Sequence, residues 1–154
     1  MAQNHIDEAL KFLTSHENYR LYATNTMMLS ITGEELGLTT VQSSITDYDL
    51  KTSVYCPLTH SSAIFFRNYY NQHDIENLKN YIGTDYEKTI RGDKFRNCWH
   101  LNKGKGYYKN VTNTVYEIDH KGIYTGLDEV QKDIIVNFLF YAREYLEKLF
   151  SSIF

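Results

Sequence analysis

The chain has 154 residues, 42% hydrophobic and 15% aromatic, with a formal net charge of −3 at pH 7. That length supports one core burying about two-thirds of the unfolded surface, and a single proline with few glycines argues against linkers, repeats or a disordered tail, so a single domain over residues 1–154 is expected. No window reaches the roughly 18 apolar residues of a membrane span, Asp7 and Glu8 interrupt any signal-peptide core, and Cys56 and Cys98 lack disulfide or zinc spacing; a soluble cytoplasmic protein with idle thiols and no membrane partner is expected.

Residues 4–17 place Ile6, Ala9, Leu10, Phe12 and Leu13 on one face with Asp7, Glu8 and Lys11 opposite, and Asn4 stands ready to cap, which predicts an amphipathic helix. From Tyr19 the pattern becomes extended as far as Ile31, giving two short strands or one bent strand that ends at Thr32-Gly33, a turn signal. Residues 36–45 form a threonine- and serine-rich connection, and Asp47-Tyr48-Asp49 marks a turn. Residues 50–55 read as a strand stopped by Cys56-Pro57, and residues 63–66 as a second, fully buried one.

His73 or Asp74 opens a helix through Ile75, Leu78 and Ile82, closed by Gly83. Residues 112–119 alternate as a strand with two usable faces. Thr125 or Asp128 then caps a long helix reaching about residue 150, with apolar positions from Val130 to Leu149 at spacings of three and four. The expected fold is α+β, a small, mainly antiparallel sheet packed against the N-terminal helix and the long C-terminal helix.

Charge is segregated along this chain. Residues 88–109 carry seven cations, Lys88, Arg91, Lys94, Arg96, Lys103, Lys105 and Lys109, against Asp93 alone, a local excess of +6 that leaves −9 elsewhere. Phe95, Trp99, His100, Tyr107 and Tyr108 are threaded among them, and cations interleaved with rings can grip phosphates and stack bases. Gly92, Gly104 and Gly106 in the same stretch predict an exposed loop or mobile hairpin. The candidate binding residues are therefore Lys88, Arg91, Lys94, Arg96, Trp99, His100, Lys103, Lys105, Tyr107 and Tyr108. In a functional segment, Arg91, Lys94, Arg96, Lys103 and Lys105 should project to one side around exposed Tyr107 or Tyr108.

Catalytic patterns are sparse. Lys103-Gly104-Lys105-Gly106 looks like part of an anion loop but lacks the flanking strand and helix. His60-Ser61-Ser62 has the H-x-S form of one half of a two-histidine phosphoesterase site, with no second half, and reads better as a loop histidine. Cys98 and His100 would share one side of a strand, where a neighbouring cation could favour a thiolate. Glu34 or Glu35 with Asp49 and Lys51 approximates the acid-then-D-x-K set of a metal-dependent nuclease, and Asp119-His120-Lys121 beside Glu117 approximates it again.

Thr26 to Leu36, then Val54-Tyr55-Cys56-Pro57-Leu58-Thr59 and Ala63-Ile64-Phe65-Phe66, with the final helix, resemble a family of uncharacterised bacterial and phage proteins marked by T-S-D-N-P-V and P-L-S-P motifs. Thr32-Gly33-Glu34-Glu35 replaces the S-D-N-P core, and the resemblance implies no activity. Abundant tyrosine, asparagine, lysine and isoleucine fit AT-rich codons, hence a low-GC microbe, a phage or a mobile element.

The expected function is a small non-enzymatic binding or inhibitor protein without cofactor or metal, engaging nucleic acid, a nucleic-acid-associated protein or an acidic protein face. The alternative is a metal-dependent phosphodiesterase using Glu34, Asp49 and Lys51. The apolar end, Leu149, Phe150, Ile153 and Phe154, makes the protein either a monomer or a homodimer through the C-terminal helix.

Overall fold

The computed structural model describes residues 4–39, 46–55, 60–68, 72–80, 82–84, 87, 93–119, 128–130 and 147. Apart from 128–130 and 147, the expected C-terminal helix lies outside them, as do Lys88, Arg91 and the Cys56-Pro57 stop. In chain order come α1 (His5–Ser15), β1 (Tyr19–Ser30), β2 (Glu35–Leu38), β3 (Asp47–Tyr48), α2 (Leu50–Tyr55), a 3-10 turn (Ser61–Ala63), β4 (Ile64–Phe66), α3 (Gln72–Lys79), α4 (Asp93–Leu101) and β5 (Lys105–Ile118).

The α+β class holds, but the sheet is mixed. Its longest pairing joins β1 and β5 in parallel, while β2 and β4 pair antiparallel with the other edge of β1 and β3 antiparallel with β5. Parallel neighbours need a crossover, supplied here by everything between residues 31 and 104. The helical part of that crossover, with a core beneath it, covers one face of the sheet while α1 covers the other. From Leu21 to Thr26, β1 is buried at every position, and alternation disappears because both of its faces are roofed.

Along α1 the buried stripe is His5, Ala9 and Leu13 with Phe12 beside it, while Ile6 and Leu10 are 56% and 65% exposed. Asn4 makes no side-chain cap; its carbonyl accepts from the Glu8 amide at 2.9 Å. At the other end Arg67 Nη2 donates to the His16 carbonyl at 3.1 Å and Nε to the Tyr19 carbonyl at 3.2 Å, placing a cation at the negative end of the helix.

Two sequence expectations are overturned locally. Residues 47–55 are not a turn and a strand: Asp47 and Tyr48 pair with β5, then Asp49 Oδ1 accepts the Thr52 amide at 2.7 Å and caps α2. The cap, with Leu50 and Ser53 buried three positions apart against α4, outweighs the β-branched composition. From residue 93 on, the basic stretch is not a loop either, because Phe95, Cys98 and Leu101 recur at helical spacing and bury one side of α4, and the strand β5 follows after a short turn.

Candidate functional site

The best-formed concavity among the described residues is a groove of about 360 Å³ between α1 and β5. Glu8, Lys11, Phe12, Ser15 and His16 reach it from successive turns of α1, Tyr22 comes from β1, and Tyr107 and Lys109 from β5. Strand alternation explains the last two. Tyr107 and Lys109 stand opposite Tyr22 and Thr24 on the α1 side, whereas Tyr108, opposite Ala23, points into the other core and is 2% exposed.

Rings form the wall of the groove. Phe12 stacks on Tyr107 with centroids 4.4 Å apart and on His16 at 4.3 Å, and Tyr22 lies 5.9 Å from Tyr107. At its floor, Glu8 Oε2 accepts from Lys109 Nζ at 2.9 Å and from the Tyr22 hydroxyl at 3.3 Å. The hydrogen bond and charge of Lys109 hold the Glu8 carboxyl below its ordinary range; burial, reinforced by Glu8, pushes the Tyr22 phenol upward. With Glu8 spent on Lys109, Lys11 carries the rim's remaining formal charge, and His16 adds a second cation when protonated.

The other sequence-derived candidates among the described residues do not gather around exposed tyrosines. Arg96 pairs with Asp93 one turn away, Lys103 with Asp74 at 2.5 Å, and Lys105 with Asp47 at 3.4 Å. Arg96 also lies over the Phe66 ring and Lys103 over Trp99, so Trp99 is a half-buried packing partner of Phe95 and Lys103. Helix and strand geometry distributes these cations over several faces, with Lys94 half-buried on α4 beside the Cys98 thiol.

Gly104 and Gly106 serve close packing. A Cβ on Gly104 would stand 2.6 Å from the Asn18 carbonyl oxygen, and one on Gly106 2.6 Å from Leu21 Cδ1. The Lys105 amide is bonded to the Asn18 carbonyl at 2.9 Å, so the stretch that resembles part of an anion loop is a turn fastened beside the start of β1. Cys98 and His100 sit on a helix, where two positions diverge by about 200°, and do not form a thiol–base pair. Burial pushes the Cys98 thiol up to about 11 and the His100 imidazole, repelled also by Lys103, Arg96 and Arg20, down to about 4.

His60 Nδ1 accepts the Ser62 amide at 3.3 Å and the ring stacks on Tyr116, a local turn arrangement. Glu34 lies in the β1–β2 turn, Asp49 caps α2 and Lys51 is exposed on that helix. Among the described residues no group of three or more His, Cys, Asp or Glu side chains could hold a metal ion, and no helix is long and apolar enough to cross a membrane. The chain matches no family model, no curated protein and no solved structure.

Sequence reasoning named Tyr107 as a binding residue and counted Lys109 only among the segment's cations, and it did not reach the α1 half of the groove. The available signal was a second helical stripe, Glu8, Lys11 or Phe12, and Ser15 or His16, three to four residues apart beside the apolar one.

Proposed function

We propose that the protein is a small non-enzymatic binding protein that takes single-stranded nucleic acid at the α1–β5 groove. The supporting observation is the juxtaposition of the His16–Phe12–Tyr107 ring stack with Lys11, the groove's cation left over once Lys109 is matched by Glu8. Rings supply sequence-tolerant stacking for bases and lysines supply phosphate contacts, the combination that single-strand binders use. The protein acts in the cytoplasm, as a monomer or as a homodimer through its C-terminal helix, and no cofactor or metal is required.

The test is fluorescence anisotropy with a labelled single-stranded oligonucleotide. Binding should weaken between 50 and 200 mM salt, and Lys11→Ala should flatten the salt slope by about 0.7, the value of one lost phosphate contact on a single strand. Absence of binding at low salt, or a slope unchanged in that variant, defeats the reading.

A further inference from the structure

We propose that His5 is a proton-operated latch on α1, whose protonation releases the helix from the sheet and takes the groove apart. His5 lies beneath the first turn of α1 and is 1% exposed. Its Nε2 is hydrogen-bonded to Thr24 Oγ1 at 3.0 Å, and its ring meets Phe65 edge-on at 4.7 Å. Its Nδ1 is buried and has no hydrogen-bond partner among the described residues.

A neutral imidazole tolerates that arrangement better, since Nε2 can donate to the hydroxyl and leave only one uncharged acceptor unmet. An imidazolium cannot. Both nitrogens would then donate, Nδ1–H would face no acceptor, and a full charge would sit against Phe65 and the Tyr22 ring.

The charged surroundings do not rescue it. From α1, Glu8 attracts the protonated ring, but its carboxylate is already engaged by Lys109 of β5 and the Tyr22 hydroxyl of β1. The facing residue of β4 is Phe65, without charge. Burial outweighs the Glu8 attraction, holding the imidazole below its ordinary value.

The sign follows from linkage. Released α1 takes up the proton at about pH 6.5 while docked α1 resists it, so docking is fully supported above about 6.5 and weakens as the pH falls below. The helix is well placed to leave alone. It precedes β1, joined to it by residues 16–18, and contributes no strand to the sheet, so lifting it breaks none of the β ladders.

Five of the eight residues lining the groove, Glu8, Lys11, Phe12, Ser15 and His16, would depart with it. The consequence for binding rests on the groove being the ligand site; the release of α1 does not.

Hydrogen exchange of the full chain, corrected for intrinsic rates, reads the latch without any ligand. Between pH 7.5 and 5.5 protection of residues 5–15 should fall about threefold to tenfold relative to β1, tenfold being the most a single group of ordinary pKa 6.5 can supply over that span. His5→Gln keeps a polar contact to Thr24 but does not titrate and should abolish the step, whereas His16→Gln should retain it. Flat protection in the native chain, or the same step in His5→Gln, overturns the proposal. If His5→Gln fails to fold, NMR titration of the native His5 ring is read beside the exchange profile: a value at or above 6.5 overturns the latch, and a lower one sustains it only together with the selective loss of α1 protection.

Discussion

Tyr107 and Tyr108 are neighbours in the chain and belong to different halves of the molecule: the first stacks on Phe12 in the groove, the second is buried among Leu21, Ala23 and Cys98 beneath α4. One residue of strand alternation separates a groove-facing ring from a core ring. Tyr108→Ala should therefore cost about 3–5 kcal/mol of stability, as large-to-small core changes do. Tyr107→Leu should cost less than about 1.5 kcal/mol yet remove the stacking surface. Urea midpoints and oligonucleotide anisotropy on both variants separate the roles; equal stability losses would contradict the division.

The two glycines opening β5 make a second pair of expectations. A methyl group on Gly106 meets Leu21 Cδ1 at 2.6 Å and Leu101 Cδ2 at 3.0 Å, inside a filled core. On Gly104 it meets a backbone oxygen that cannot rotate away. Gly106→Ala should cost about 1–3 kcal/mol by overpacking, and Gly104→Ala at least as much. Gly33→Ala has open space around it but a φ of +83°, so its cost, about 1–2 kcal/mol, comes from backbone strain alone. Thermal unfolding of the three variants tests that order.

These glycines also show where sequence legibility ends. Gly104 and Gly106 follow α4 and admit residues 18–21 to close approach, but in a single sequence the spacing of Gly92, Gly104 and Gly106 reads as a mobile loop. The α1 helix, the long β1, the Thr32-Gly33 turn and residues 112–118 were legible because each carries its own period or turn signal. Thr52, Ser53 and Val54 gave α2 a strand-like composition that one cap and a buried side overrode. The parallel β1–β5 pairing joins residues more than eighty positions apart, and no local pattern announces it. The groove was half visible for the same reason, since Tyr107 and Lys109 stood out by charge and ring content while its α1 side looked like an ordinary solvated helix face.

Asp49 offers a test of the overridden segment. Its carboxylate accepts the Thr52 amide and the Thr52 side chain, which hold its proton affinity below the ordinary carboxylate range. Asp49→Ala should cost about 0.5–2 kcal/mol, the usual worth of a lost N-cap. Because the folded value is depressed, that contribution is present above about pH 4 and fades as the pH falls through the folded value. Urea unfolding at pH 7 and pH 3 should show the native and variant chains converging in acid. The conservative change Asp49→Asn should retain most of the cap, since the amide oxygen can still accept.

Burial of His100 sets the largest acid dependence on the opposite face of the sheet. The ring is 1% exposed, packed on Phe66 at 4.6 Å, and held down to about 4 by burial first and by Lys103, Arg96 and Arg20 next, against an opposing pull from Asp74. The unfolded chain protonates this histidine near pH 6.5, so between about 6.5 and 4 the unfolded state binds the extra proton. Stability is therefore fully present at neutral pH and is lost progressively down to about 4, by on the order of 2–3 kcal/mol for a gap of that size. A non-titrating ring of similar shape, His100→Phe, should flatten the slope by that amount in urea midpoints taken at pH 7, 6, 5 and 4.5. The flattening should register in amide exchange of α4 and not of α1, which separates it from any effect of His5. Parallel pH profiles for the two chains would mean that His100 opens to solvent before it must take the proton.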